Sequence, residues 1–229
     1  ATAEGWRIRG GHRLWVAPEA ENDCYYPDND QVIMNITEQG AVFFQQKDPR
    51  LQVEKTLELC FLPNPYEVEI RHCIKNKGNK TLRCSPWAIT VMAAGSELYL
   101  PFPGQNTGAS PNRIISLWNT SNLDDERITF LPNGIYLQHK SREEYFKIGI
   151  LSSTGTGLCK VGQQLLTKKF PVNLKGKYPD GGVNLEVYLD KHMMEFETLA
   201  PIQELRTEES VLHVERWSIE AWKGEHIWI

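Results

Sequence analysis

Nothing in the 229 residues sustains a helical stripe for more than about two turns, and no apolar run approaches the ~20 residues a bilayer-crossing helix needs. The longest nearly apolar stretch, Ala88 to Ala94, is broken by Thr90. Basic residues are also too few and too scattered to make a nucleic-acid footprint. There are 25 Lys and Arg against 29 Asp and Glu, a formal net charge of −4, and the same deficit argues against an anionic membrane surface. GxGxxG, P-loop, GxSxG and HExxH patterns are all missing, which leaves a nucleotide fold or a familiar hydrolase without support. The five cysteines, Cys24, Cys60, Cys73, Cys84 and Cys159, form no CxxC pair and no zinc-ligand spacing. Their odd number leaves at least one thiol without an intrachain partner and favours a reducing, cytoplasmic setting. Three Asn-x-Ser/Thr triplets at Asn35, Asn79 and Asn119 keep a secreted or periplasmic origin open. The chain starts at Ala1 with no signal-peptide pattern, as expected if a leader or a longer N-terminal piece has been removed.

What the sequence does have is alternation at period two. Leu51, Val53, Leu57 and Leu59 share one face of an extended segment and Gln52, Glu54, Thr56 and Glu58 the other, with Lys55 the one charge on the apolar side. Tyr66, Val68, Ile70, His72 and Ile74 repeat the pattern up to the turn signal Asn76-Lys77-Gly78-Asn79. Further strands are expected near 31–36, 41–46, 84–93, 112–118, 134–139, 145–151, 157–162, 165–170, 184–189, 193–199 and 210–219. About a dozen short strands without helical crossovers predict an all-β fold, a large antiparallel β-sandwich. With no repeat, low-complexity tract or linker-like shift in composition, a single domain over 1–229 is expected. Phe102 to Pro111 reads as a long surface loop, and Asp23, Asp28, Asn29 and Asp30 as a polar turn without calcium-loop spacing.

Two segments carry chemistry. In Arg9-Gly10-Gly11-His12-Arg13-Leu14-Trp15, the glycines permit a close backbone approach, and His12, Arg13 and Trp15 supply a titratable group, a forked donor and a stacking surface. Such a set suits a sugar, and it equally suits a tight turn with a packing Trp. In Met193 to Leu199, an extended chain puts Glu195 and Glu197 on one face with Met193 and Leu199, and Met194, Phe196 and Thr198 on the other. A carboxylate among apolar neighbours becomes a useful general base, whereas the ordinary outcome is a solvated face or an ion pair with an arginine such as Arg216. His72 reads as a core histidine or, on a concave sheet, a ligand-facing one. Trp87 reads as a core aromatic or a sugar platform, and Lys168-Lys169 has too few partners for a phosphate site.

Taken together, four motifs, Gly10-Gly11-His12-Arg13-Leu14-Trp15 with Ala17-Pro18-Glu19, Tyr26-Pro27-Asp28-Asn29, Pro86-Trp87-Ala88-Ile89-Thr90 and Glu195-Phe196-Glu197-Thr198-Leu199-Ala200-Pro201, resemble a bacterial branch of the galactose mutarotase-like (aldose 1-epimerase-like) superfamily. The resemblance implies a β-supersandwich that binds a sugar or sugar derivative on a broad concave sheet, with no cofactor and no metal. In mutarotases a strand glutamate takes the anomeric hydroxyl proton and a histidine protonates the ring oxygen. It implies Glu197 as the base, with Glu195 the fallback, and His12 as the histidine. Arg13, Trp15, His72, Trp87 and Glu195 are left to contact substrate. Two departures accompany it. Trp87 or its neighbours stand where the enzymes place their general acid, and only nine residues precede the Gly-Gly-His segment where the family has several strands. A missing edge favours self-association into a homo-oligomer. Three readings follow in order: an aldose 1-epimerase-like isomerase, a non-catalytic carbohydrate-binding or sensing module, and a structural protein with ion-paired glutamates.

Overall fold

Strands form wherever apolar and polar residues alternate, because only an extended chain sends successive side chains to opposite faces. The computed structural model describes residues 10–20, 24, 30–104, 106–224 and 227. Among them the strands run in chain order as β1 (His12–Ala17), β2 (Ile33–Thr37), β3 (Gly40–Phe44), β4 (Val53–Phe61), β5 (Glu67–Asn76), β6 (Leu82–Met92), β7 (Glu97–Pro101), β8 (Ile115–Leu117), β9 (Ile128–Leu131), β10 (Gly134–Gln138), β11 (Phe146–Ile150), β12 (Thr156–Val161), β13 (Gln164–Lys169), β14 (Leu185–Leu189), β15 (Met194–Leu199), β16 (Gln203–Leu205) and β17 (Ser210–Ala221). The described residues contain no helix, hence none long and apolar enough to cross a membrane.

All pairings are antiparallel and make two sheets, as the alternation predicts. The seven-stranded sheet runs β1-β6-β15-β14-β11-β8, with β16 also pairing β6. The ten-stranded sheet runs β2-β3-β4-β5-β17-β13-β12-β7-β10-β9. They pack through Phe146, Ile148, Val187 and Phe196 of the first and Leu98, Leu100, Ile135 and Leu137 of the second, all fully buried. At about 25 cal/mol per Å2 of apolar area, such a layer is the dominant stabilising term. A second cluster of Leu14, Val16, Val53 and Ile74 closes the sheets near β1. All five cysteines are free thiols.

Register decides which residues meet. His12 pairs with Thr90 and Thr90 with Phe196, so these three share the face that looks between the sheets. Arg13 pairs with Ile89 and Ile89 with Glu197, so these share the outer face. Along β14 and β11 the outer face carries Glu186 opposite Glu197 and opposite Gly149, then Tyr188 opposite Glu195 and Lys147.

Candidate active site

The outer face of the seven-stranded sheet gathers three glutamates around one lysine. Glu197, fully buried, accepts a hydrogen bond on Oε2 from Trp87 Nε1 at 2.7 Å and another from Lys147 Nζ at 3.1 Å, while its Oε1 has no partner among the described residues. Lys147 Nζ also lies 3.0 Å from Glu186 Oε2. Asp180 also interacts with Glu186 through its side chain. The ammonium sits over two indoles, 4.5 Å from the centre of Trp87 and 4.7 Å from Trp118, each contact adding cation–π attraction.

Why these residues assemble here is local. Gly149 faces Glu186 across the β11–β14 pair, and a Cβ there would come within 3.0 Å of Glu186 Cγ; the glycine leaves room for the carboxylate. Asp180, at φ 50, heads the turn Asp180-Gly181-Gly182, and Ser116 Oγ donates to its backbone carbonyl at 2.7 Å. A Cβ on Gly181, at φ 80, would lie 2.6 Å from that Ser116 hydroxyl, so the close approach requires glycine. Asp180 and Lys147 interact, and burial pushes the Asp180 carboxyl up.

Electrostatics separates the carboxyl groups. Burial, then the neighbouring Glu197 charge, pushes the Glu195 carboxyl up to about 8 against pulls from Arg13 and Lys147. Burial also drives Glu186 well above the ordinary carboxylate range, with Lys147 opposing and Glu197 adding to it. Burial disfavours the charged form of Lys147, but Glu197 and Glu186 outweigh it and hold the amine protonated. One ammonium cannot balance two carboxylates about 3 Å away, so burial leaves Glu186 the protonated partner.

Trp15 and Trp87 form the adjoining wall, rings edge to face with centroids 5.3 Å apart, and Cys24 packs on them with Ile89 and Leu199. Arg13 lies 5.4 Å from the Trp15 ring centre. The structure therefore brings Glu197, Glu195, Arg13, Trp15 and Trp87 to one face. Arg9 and Tyr26-Pro27-Asp28-Asn29, together with Asp23, lie outside the described residues. Arg216 is not the glutamates' partner, since it pairs with Glu67.

His12 and His72 go elsewhere, which corrects their expected place beside Glu197. As Phe196 and Glu197 face opposite ways, so do His12 and Glu197 across the pairs that link β1, β6 and β15. The two imidazoles join a buried network between the sheets with His213, Glu215, Lys168, Thr90 and Thr198. Its proton positions follow from counting donors. Lys168 Nζ donates to Thr90 Oγ1 at 2.6 Å, to the Phe196 carbonyl at 3.1 Å and to Glu215 Oε1 at 3.1 Å. Trp217 Nε1 donates to Glu215 Oε2 at 2.8 Å and Thr198 Oγ1 to Oε1 at 2.6 Å, so His213 Nε2 donates to Thr198 at 2.7 Å. His72 Nδ1 donates to the His213 carbonyl at 3.1 Å, which leaves its Nε2 as an acceptor from His12 Nε2, 2.6 Å away. Thr90 then donates to His12 Nδ1 at 2.8 Å. Burial lowers all three imidazoles and holds them neutral, His213 at about 3. It opposes ionisation of Glu215 too, but Lys168 prevails and keeps that carboxylate charged.

Sequence reasoning missed Lys147, Glu186, Asp180, Lys168, His213 and Glu215. One signal was available for the inter-sheet group: Lys168 falls between Leu166 and Phe170, and Glu215 between His213 and Trp217, charges at apolar-face positions.

No family model matches the chain, and no curated protein matches it. Solved structures do. A Salmonella typhimurium protein provisionally described as a mutarotase is 11% identical, with 96% of this chain and 76% of that one covered at a TM-score of 0.59. A TPR-domain containing protein from Parabacteroides distasonis is also 11% identical, with 94% of this chain and 38% of that one covered at 0.60. A galactose mutarotase-like protein from Lactobacillus casei is 9% identical, with 83% and 72% covered at 0.47. At such identities the likeness is one of architecture: the chain has the two-sheet antiparallel β-sandwich of the mutarotase-like proteins.

Proposed function

We propose that the outer face of the seven-stranded sheet binds a sugar and interconverts its anomers, with Glu197 as base and Glu195 as acid. The observation that carries this reading is a pair of glutamates two residues apart on one face, in different surroundings. Glu195 is pushed up to about 8 and holds a proton at neutral pH, while Glu197 accepts from Trp87 and Lys147. Pairs of carboxyl groups set apart in this way divide acid and base roles. At ~3.4 Å per residue the two stand roughly 6.8 Å apart along the strand, room for a pyranose edge between them. The mutarotase description of the Salmonella neighbour fits the same chemistry.

Glu197 takes the proton of the anomeric hydroxyl as the bond from the anomeric carbon to the ring oxygen breaks, and Glu195 gives its proton to that oxygen. Reclosure on the other face of the carbonyl returns both protons. Arg13 and the indole walls orient the ring. Complete burial of Glu197 favours a second reading, in which the face binds sugar without turning it over.

The test is α-to-β exchange followed by NMR across a panel of free and phosphorylated hexoses. Wild type accelerates exchange, and Glu197→Gln and Glu195→Gln each reduce it by about 10² to 10⁴ while saturable binding persists. Binding without acceleration selects the second reading, and no binding to any sugar overturns both.

A further inference from the structure

On the opposite side of the sheet from the carboxylates, three side chains bring ligating atoms close together. His12 Nε2, His72 Nε2 and Glu215 Oε2 lie within 4.8 Å of one another. The imidazole nitrogens are 2.6 Å apart, and the carboxylate oxygen is 3.8 Å from His12 and 4.0 Å from His72. We propose that these three atoms bind one divalent transition-metal ion, zinc by preference, with a coordination position open to the cavity between the sheets.

The geometry is close to what the ion needs. Zinc–nitrogen bonds of about 2.0–2.1 Å in a tetrahedron put neighbouring ligand atoms about 3.3 Å apart. The imidazoles have to part by roughly 0.7 Å and the carboxylate to approach them by roughly 0.5 to 0.7 Å, shifts within reach of side-chain torsions. Two imidazoles and a carboxylate are the donor set of an open zinc site, whereas oxygen-only sites suit calcium or magnesium. The outer partners are already present. The His213 carbonyl fixes the His72 tautomer that presents Nε2, and Thr90 Oγ1 can take the His12 proton once it sits on Nδ1. Lys168 and Thr198 hold Oε1 of Glu215, while Oε2 accepts from Trp217 Nε1 at 2.8 Å and has a second lone pair to offer the ion.

Access comes from the side of β1. A cavity of about 390 Å3 is lined by His12, Leu14, Phe43, Leu57, Ile70 and Trp217 among others, and the His12 and Trp217 rings stand edge to face with centroids 5.0 Å apart. The Lys168 ammonium, on the far oxygen of Glu215, opposes the incoming charge. Affinity is therefore weaker than that of closed structural zinc sites. The inference does not rest on the sugar reading, since its residues face the other way.

The experiment strips the chain with a chelator and titrates it with Co2+ and then Zn2+, following visible absorption, bound metal per chain after desalting, and thermal midpoint. One Co2+ per chain with the intense absorption of a tetrahedral site, displaced by Zn2+, is expected, and zinc raises the midpoint. His12→Ala and His72→Ala each weaken binding by at least about 100-fold, more than the loss of an outer partner brings. His12 sits at the cavity wall, so His12→Ala decides the matter should His72→Ala fail to fold. Absence of a stoichiometric ion overturns the proposal. So does binding that is undiminished in a folded His12→Ala variant, which would assign the metal to surface groups.

Discussion

Lys147→Met is expected to lower the free energy of unfolding by about 3–5 kcal/mol at pH 8, the range found when one partner of a buried ion pair is removed. The expectation rests on what remains. Glu197 and Glu186 are both fully buried, and Lys147 is the one cation within 4 Å of either among the described residues. Without it, Trp87 Nε1 is the only hydrogen-bond donor left to Glu197 among them, and the two carboxyl groups face each other across the β14–β15 pair. Methionine keeps most of the volume between Trp87 and Trp118, which separates the charge effect from a packing defect. The deficit should be smaller at pH 5 than at pH 8, because acid favours the neutral form of a buried carboxyl group left without its cation. Urea denaturation of wild type and variant at the two pH values checks this. A deficit below about 1 kcal/mol at both, the range of surface ion pairs, would mean that the outer face is solvated.

An effect of the same size is expected from Lys168→Met, on the other side of the sheet. Lys168 is completely buried and ties together Thr90, Phe196 and Glu215. Its loss leaves Glu215 with two neutral donors, Thr198 and Trp217, and about 3–5 kcal/mol of stability should go with it. A second change tells charge from shape. Lys168→Met combined with Glu215→Gln removes both charges and should recover a large part of the deficit, a coupling that a double-mutant cycle reads directly. A double variant no more stable than Lys168→Met would show that Lys168 acts through packing alone.

How much of this was legible in the sequence differs between layers. The alternation in the sequence placed β4 and β5 within two residues of their ends, and in β5 it matches burial, since Ile70, His72 and Ile74 are buried and Arg71 is exposed. β7 escaped, since Leu98 and Leu100 face the inter-sheet core while Tyr99 packs into a separate cluster with Leu165 and Ile227. Burial on both faces erases the alternation. β9 and β16, at four and three residues, are too short to show a period. The Gly-Gly-His-Arg-Leu-Trp segment read equally as a sugar-contacting set and as a tight turn with a packing Trp, and the structure makes His12 onward the edge strand β1, with Trp15 buried.

The two faces of β15 were legible, because parity within a strand is fixed by the chain. Parity between strands is not. Whether His12 and Glu197 face the same way depends on a register that pairs Arg13, Ile89 and Glu197, and a slip of one residue between strands would have reversed the answer. Lys147 and Glu186 were illegible for another reason. In Phe146-Lys147-Ile148 and Leu185-Glu186-Val187 they occupy the polar side of the alternation, which reads as a solvated face. Both side chains are buried nonetheless, and burial of a strand's polar side is a tertiary property.

The division of roles between Glu195 and Glu197 makes a direct demand on pH behaviour. With its carboxyl at about 8 in the folded chain against 4.5 as the ordinary value, Glu195 binds a proton in the folded state that the unfolded chain releases. Stability from this group is therefore fully present below about pH 4.5 and is lost as pH rises towards 8, the reverse of the usual carboxylate trend. The decisive measurement follows the side-chain carboxyl carbons by NMR in glutamate-labelled protein between pH 4 and 9, with Glu195→Gln assigning the signal. The account predicts a Glu195 transition near 8; a Glu195 carbon that titrates at its ordinary value, between 4 and 5, would contradict it and take the acid away from the proposed pair.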